Sequence, residues 1–143
     1  MILHTRRHQA LALAIAAIGA FTSCASVETA IVAEPGVAFD LPLGRTATLN
    51  GDGVRIAFTQ VREDSRCPAD VTCIWAGDAK IELAISRSGS PDDVRLVSLI
   101  PPADETTYRD LHIRFVGLAP TPRQADSGKP KVYVAHLVLS RTQ

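Results

Sequence analysis

The residues best suited to chemistry lie in one stretch, Glu63 to Ala79, which reads EDSRCPADVTCIWAGDA. It contains two of the three cysteines and the only tryptophan of the 143-residue chain. Its candidate oxygen ligands for a cation are three carboxylates: Asp64, Asp70 and Asp78. A hard oxygen site needs more converging ligands than these, and the five residues between Cys67 and Cys73 do not match a zinc-binding spacing. The sequence therefore predicts no metal site and no cofactor.

Catalytic groups are equally scarce. Redox-active cysteine pairs are normally two residues apart at the start of a helix, and Cys67 and Cys73 have neither feature. Beyond the leader described below, only His112 and His136 could act as general bases. His112 lies on the polar face of an alternating stretch, whereas His136 shares a face with valines and is predicted to be a hydrogen-bonded structural residue. The chain has no Gly-x-Ser-x-Gly elbow and no glycine-rich phosphate loop, so we expect no enzymatic activity.

The N-terminal segment has the layout of an export signal. Residues 1–9 include Arg6 and Arg7 but no acid, residues 10–21 are an uninterrupted apolar run, and small residues follow. Twelve helical residues cover about 18 Å, which is well short of a hydrocarbon core of about 30 Å. We therefore expect a cleaved signal rather than a permanent membrane span.

The end of this leader resembles the bacterial lipobox, whose usual form is Leu, a small residue, Gly or Ala, and Cys. The matching residues are Phe21, Thr22, Ser23 and Cys24. The resemblance implies a lipoprotein signal peptide over residues 1–23, a lipidated Cys24 and attachment to the cell envelope. The alternative is ordinary cleavage near Ala25. Because Ala25 is not the Asp that favours inner-membrane retention in enterobacterial lipoproteins, we expect the outer membrane, facing the periplasm, rather than the inner membrane.

If Cys24 carries lipid, Cys67 and Cys73 remain as a pair. Exported proteins occupy compartments in which disulfides persist, so we expect a bond between these two residues. In the chain-entropy model, closing a loop of this size stabilises the fold by about 2 kcal/mol. Trp75 follows two residues later and is expected to pack in the core beside the bridge. Gly77 would let the chain turn into the next strand.

The same stretch resembles a second motif, Asp-Ser-Arg-Cys-Pro, four residues, Cys, an aliphatic residue, Trp, Ala and Gly. The motif occurs in small secreted proteins and lipoproteins of bacteria whose function is uncharacterised. The matching residues are Asp64, Ser65, Arg66, Cys67, Pro68, Cys73, Trp75, Ala76 and Gly77. The resemblance extends loosely over half of the chain after the leader. It implies a sandwich-like fold and no particular activity.

Three roles for this loop remain open. It is either a structural staple without a partner or a pre-organised binding loop, since rigidity lowers the entropy lost on binding. As a binding loop, its candidate contact residues are Asp64, Arg66, Pro68 and Trp75, and its partner an envelope protein or a small ligand. The third role is inhibition of an exported hydrolase, with Arg66 or Pro68 presented on the loop closed by Cys67 and Cys73.

The pattern of the remaining chain is that of strands. From Val37 onward apolar residues alternate, and Gly, Pro, Asn and Asp separate short runs. We predict an all-β fold, an antiparallel β-sandwich of seven to eight strands with an immunoglobulin-like arrangement as one form, in preference to a small barrel. Residues 24–36 are predicted to be a flexible tether and residues 37–143 a single domain. The run 131–140, apolar on both faces, is predicted to be a central strand.

The charges are nearly balanced. The chain has 15 basic and 15 acidic residues, and after Cys24 the acidic residues outnumber the basic ones by two. Nucleic-acid binders carry a basic excess, so we expect no nucleic-acid partner. Adjacent carboxylates such as Glu63 and Asp64 would point to opposite faces of an extended chain and are predicted to be solvated. The expected partner common to all these interpretations is the membrane, through the lipid anchor.

Overall fold

The computed structural model describes residues 29–88, 90 and 92–142, and within these residues it has nine strands in two sheets. The strands are β1 (Ile31–Ala33), β2 (Ala38–Pro42), β3 (Thr46–Leu49), β4 (Val54–Asp64), β5 (Ala79–Arg87), β6 (Asp93–Ser98), β7 (Glu105–Tyr108), β8 (Leu111–Ala119) and β9 (Val134–Arg141). The predicted all-β sandwich is confirmed, with more strands than the seven or eight expected.

The order of strands places the long hairpin of β4 and β5 inside the first sheet. That sheet runs β1-β3-β4-β5-β6, and the second sheet runs β2-β9-β8-β7. All neighbouring strands are antiparallel except β1 and β3, which are parallel. Strand β9 lies between β2 and β8, so the prediction of a central C-terminal strand is confirmed, although the strand begins at Val134 rather than at residue 131.

Alternating side chains from both sheets form one core. In β5 the inward residues Ala79, Ile81, Leu83 and Ile85 are fully buried, whereas the residues between them, Lys80, Glu82 and Ala84, are only partly buried. Because side chains of a strand alternate between its faces, this period of two assigns one face to the core. Each large apolar side chain buried in this way stabilises the fold by about 1.5–3 kcal/mol.

A β-bulge changes this alternation in β8. Leu111, Ile113 and Phe115 are buried, and the register then shifts between Phe115 and Gly117. A bulge adds one residue to one strand and redirects the side chains that follow. Leu118 is therefore buried, where strict alternation would have exposed it. Strand β4 contains two such shifts before it ends at Asp64.

One segment expected to lack strands contains one. The predicted tether to Gly36 is wrong in its second half, because Ile31–Ala33 form β1 and Ala33 is buried against the core. This strand is only three residues long, too short for alternation to identify.

The predicted signal peptide, residues 1–23, and Cys24 lie outside the described residues. The part of the chain that is described contains no helix long and apolar enough to cross a membrane.

The pairing of β1 can be tested with two adjacent substitutions. Ala33 is 1% exposed and Val32 is 58% exposed, so Ala33→Asp buries an unpaired charge whereas Val32→Asp does not. We expect Ala33→Asp to lower the free energy of unfolding by about 3 kcal/mol or more and Val32→Asp by less than about 1 kcal/mol. Urea titration measures both. Equal losses would mean that β1 is not part of the folded core.

Candidate functional site

The candidate site is the connection between β4 and β5, which prolongs their hairpin beyond the sheet. The Ser65 N–H donates to the Asp78 carbonyl at 2.7 Å, and the Cys67 N–H donates to the Ala76 carbonyl at 2.7 Å. Residues 67–76, here called the stapled tip, then project from the end of the sandwich. Cys67 and Cys73 are bonded to each other, with their Cα atoms 5.9 Å apart, so the predicted disulfide is confirmed.

Gly77 makes the return of this connection possible. Its φ angle is +71°, and a Cβ atom added there would lie 1.8 Å from the Ser65 carbonyl oxygen. Both observations exclude a side chain, because L-residues rarely adopt this backbone conformation and no heavy atom fits at that distance. The two arms of the loop thus touch through backbone atoms at Gly77, next to their hydrogen bonds.

A buried ion pair stabilises the base of the stapled tip. Arg66 donates from Nε to Asp64 Oδ1 at 2.7 Å and from Nη2 to Oδ2 at 3.0 Å, a two-bond arrangement suited to guanidinium and carboxylate. The side chains are 14% exposed for Arg66 and 6% for Asp64. Arg66 also donates to the carbonyls of Leu118 and, at 3.0 Å, Pro120. The pair therefore links the end of β4 to the end of β8.

Two further groups complete the environment of Asp64. The Tyr133 hydroxyl donates to Oδ2 at 3.1 Å, and Lys131 Nζ lies 3.5 Å from the same oxygen. Burial raises the pKa of Asp64, but the hydrogen bond and charge of Arg66, together with Tyr133 and Lys131, outweigh it and hold the pKa below its usual 3.8. The prediction that Asp64 is solvated is wrong, because its negative charge is used to neutralise the buried guanidinium of Arg66.

A second contact joins the stapled tip to the connection between β8 and β9. The Ala69 N–H donates to the Pro122 carbonyl at 2.9 Å. Asp70 accepts the N–H groups of Gln124, at 2.7 Å, and Ala125, at 3.3 Å, in a short 3-10 turn. The hydrogen bond from Gln124 is the main cause that lowers the pKa of Asp70. The stapled tip is therefore braced on one side by a neighbouring loop.

The third carboxylate considered as a metal ligand, Asp78, has a separate structural role. It is buried and accepts the Ser98 hydroxyl at 2.8 Å and the N–H groups of Ala79, at 2.7 Å, and Leu99, at 3.1 Å. Each of the three aspartates is thus bound to a different part of the fold. Among the residues that the structure describes, no group of three or more His, Cys, Asp and Glu is arranged to hold a metal ion.

The apex of the stapled tip is apolar and exposed. Trp75 is 74% exposed and its neighbour Ile74 is 96% exposed, while Val71 is also exposed. The prediction that Trp75 packs in the core is wrong. Trp75 is exposed because the hairpin hydrogen bonds end at Cys67 and Ala76, and the disulfide holds the residues between them outside the sandwich. Single exposed apolar residues are ordinary, whereas Ile74 and Trp75 are large, adjacent and on a loop closed by a disulfide, which makes the apex a candidate contact surface.

The four residues predicted as a binding loop therefore have three different environments. Asp64 and Arg66 hold the base, Pro68 is half-buried, and only Trp75 is freely presented. Ile74 was missed, although an apolar pair in the middle of a polar loop was a visible signal in the sequence.

The two histidines are hydrogen-bonded within the second sheet. His136 Nδ1 lies 2.6 Å from Asp40 Oδ1, its neighbour on β2. His112 has the hydroxyl of Thr107 3.3 Å from Nδ1 and that of Thr142 2.9 Å from Nε2. The expectation of a hydrogen-bonded His136 is confirmed.

The close approach at Gly77 predicts a large loss of stability for Gly77→Ala. Gly53 is the matched control, because its φ is also positive, +66°, but an added Cβ meets nothing within 4 Å. We expect Gly53→Ala to cost about 1–2 kcal/mol for the backbone conformation alone. Gly77→Ala should cost clearly more, since the arm at Ser65 must move as well. Thermal unfolding of both variants measures the difference, and similar losses would contradict the contact.

The lowered pKa of Asp64 predicts a specific acid sensitivity. A carboxyl group whose pKa is lower in the folded state stabilises the fold fully above its usual 3.8, and this stabilisation is lost as the pH falls through the folded-state pKa. Asp64→Asn should cost about 3 kcal/mol at neutral pH, because it leaves Arg66 buried without its counter-ion. It should also flatten the fall in unfolding free energy as the pH drops below about 5.

Urea titrations over this pH range measure the effect, with Asp92→Asn, in an exposed carboxylate of the turn between β5 and β6, as the control. An acid dependence of Asp64→Asn as steep as that of the parent would contradict the buried pair.

The site thus has a polar, buried base and an apolar, exposed apex. Comparisons of the chain with protein family models, with curated proteins and with solved structures found no match.

Proposed function

We propose that this chain is a non-enzymatic lipoprotein of the bacterial cell envelope that uses the apex of its stapled tip as a contact surface. The observation that carries the proposal is the exposure of Ile74 and Trp75 on a loop closed by a disulfide. Keeping two large apolar side chains in water is unfavourable, and the loss is recovered when a partner covers them. The partner is an envelope component, either protein, small ligand or lipid.

The rigidity of the loop supports a binding role. The disulfide, the Asp64–Arg66 pair and the contact of Asp70 with Gln124 hold the tip before any partner arrives. A pre-organised loop loses little conformational entropy on binding, so more of the contact energy becomes affinity. Tryptophan is also enriched among residues that dominate contact surfaces. A loop that served only as a staple would not need a large apolar apex.

The position of Arg66 argues against the hypothesis that the chain inhibits a hydrolase by presenting Arg66 to its active site. An inhibitor that mimics a substrate must offer the side chain to a protease pocket. The guanidinium of Arg66 is instead committed to Asp64 and to the carbonyls of Leu118 and Pro120. Releasing it would leave Asp64 buried without its main partner.

The lipobox resemblance at Cys24 supports the location. A lipidated Cys24 would hold the domain on a membrane, and Ala25 after it favours the outer membrane, facing the periplasm. Mass spectrometry of the mature N-terminus tests this part separately. An acylated Cys24 is expected, and an unmodified N-terminus at Ala25 would overturn it.

Site-specific photo-crosslinking in intact cells tests the contact surface. A benzophenone amino acid replaces Trp75 in one variant and Val116, an exposed residue in the middle of β8, in the control. We expect position 75 to form an adduct with an envelope component and position 116 to form none, because only the apex is covered. Equal yields at the two positions, with both variants folded, would contradict the proposal.

A further inference from the structure

We infer that the component covered by the apex is the lipid bilayer to which the chain is anchored, so that the stapled tip is a second membrane contact. This inference rests on the proposed function, since it requires a lipidated Cys24. It is carried by the direction in which the chain enters the first sheet, by the length of chain between the anchor and that sheet, and by the chemistry of the sandwich end that bears the tip.

Strand directions place the entry of the chain and the stapled tip toward the same end. Strand β4 runs toward the tip and ends at Asp64. Ile31 in β1 is level with Ala47 in β3, which pairs with Ile56 in β4. Because β1 is parallel to β3 and β3 is antiparallel to β4, β1 runs away from the tip. Residues that precede Ile31 therefore join the sheet from the side of the tip.

Few residues separate Cys24 from the first described residue. Thr29, the first described residue, follows Cys24 by five positions, which span at most about 18 Å when fully extended. The part of β4 from Phe58 to Asp64 is about 20 Å long, because it contains six residue-to-residue rises of about 3.3 Å each. Ile31 is level with Ile56 through Ala47, so Thr29, two positions before Ile31, is about level with Phe58 along the sheet. Because the chain leaves β1 toward the tip and this anchor is no longer than the distance to the end of β4, no gap remains between the tip and the membrane that would hold Cys24.

The chemistry of this end suits a bilayer interface. Tryptophan favours the boundary between headgroups and acyl chains, because its ring is apolar and its N–H can be hydrated, and Ile74 beside it is fully apolar. The neighbouring connection between β8 and β9 adds the exposed Val132. Its charged residues between positions 120 and 132 are three cations and one acid: Arg123, Lys129, Lys131 and Asp126.

Cations next to an apolar apex match the layers of an anionic membrane. The loop that carries them is joined to the stapled tip through Pro122, Gln124 and Ala125. Each cation near an anionic headgroup adds attraction, while the apolar side chains insert below the headgroups. The acids Asp70 and Asp126 lie on the same surface, so the convex apolar apex, rather than a net positive charge, carries the fit to a planar surface of lipids. Lys129 and Lys131 contribute less than Arg123, because Lys129 pairs with Asp126 at 2.8 Å and Lys131 Nζ lies 3.5 Å from Asp64 Oδ2.

The single tryptophan makes the inference testable without a label. The lipidated full chain, purified from bacterial membranes, is reconstituted into vesicles of phosphatidylethanolamine and phosphatidylglycerol, some containing lipids brominated near the headgroup or deep in the chain. We expect Trp75 emission to shift to shorter wavelength on reconstitution and to be quenched more by the shallow bromines than by the deep ones. In the control Trp75→Phe/Val116→Trp, the only tryptophan moves to the exposed middle of β8 and should not be quenched.

The outcomes separate the inference from the function on which it rests. If the chain floats with the vesicles but Trp75 emission is unchanged, the anchor stands and the membrane contact is overturned. If the emission shifts without quenching by brominated lipid, Trp75 is covered by a second copy of the chain, the only protein present, which overturns the lipid contact and leaves the proposed contact surface intact. If the chain fails to float with vesicles at all, both the anchor and the inference are overturned.

Discussion

The buried pair of Asp64 and Arg66 is the interaction on which the site depends. Two charges removed from water are stable only when they neutralise each other and their remaining hydrogen-bonding groups are satisfied. Arg66 meets this condition by donating to the carbonyls of Leu118 and Pro120, and Asp64 by accepting the Tyr133 hydroxyl. The pair therefore does more than close the end of β4. It connects the hairpin of the first sheet to the C-terminal end of β8 in the second sheet.

As a consequence, different residues of this short loop stabilise its base and form its exposed apex. The backbone contact at Gly77 and the Asp64–Arg66 pair hold the base, and the disulfide closes the tip above it. The apex is left with Ile74 and Trp75, which contribute nothing to the core. With a rigid base and an apolar apex, a small domain can present a contact surface while the domain itself stays folded. Stability and presentation thus come from different residues of the same loop.

The sequence predicted the fold well because alternation and turn residues are local signals. Strand β5 and the central β9 follow directly from their apolar patterns. Strand β1 was missed because three residues carry no period, and its place depends on pairing with the distant β3. The burial of Leu118 depends on a bulge that alternation cannot reveal. Asp64 illustrates the same limit, because its burial is favourable only when Arg66, Tyr133 and Lys131 surround it.

The sequence drew attention to the loop between β4 and β5, but it assigned Trp75 to the core and Asp64 to the solvent, and the structure shows the reverse. A tryptophan beside a disulfide usually packs in a core, and only the three-dimensional path of the hairpin places Trp75 outside. Collisional quenching by acrylamide in the folded, membrane-free chain tests that placement most directly, since Trp75 is the only tryptophan. We expect quenching close to that of the urea-unfolded chain while the protein remains folded. Quenching far below that of the unfolded chain would mean that Trp75 is buried, and would contradict the exposed apex.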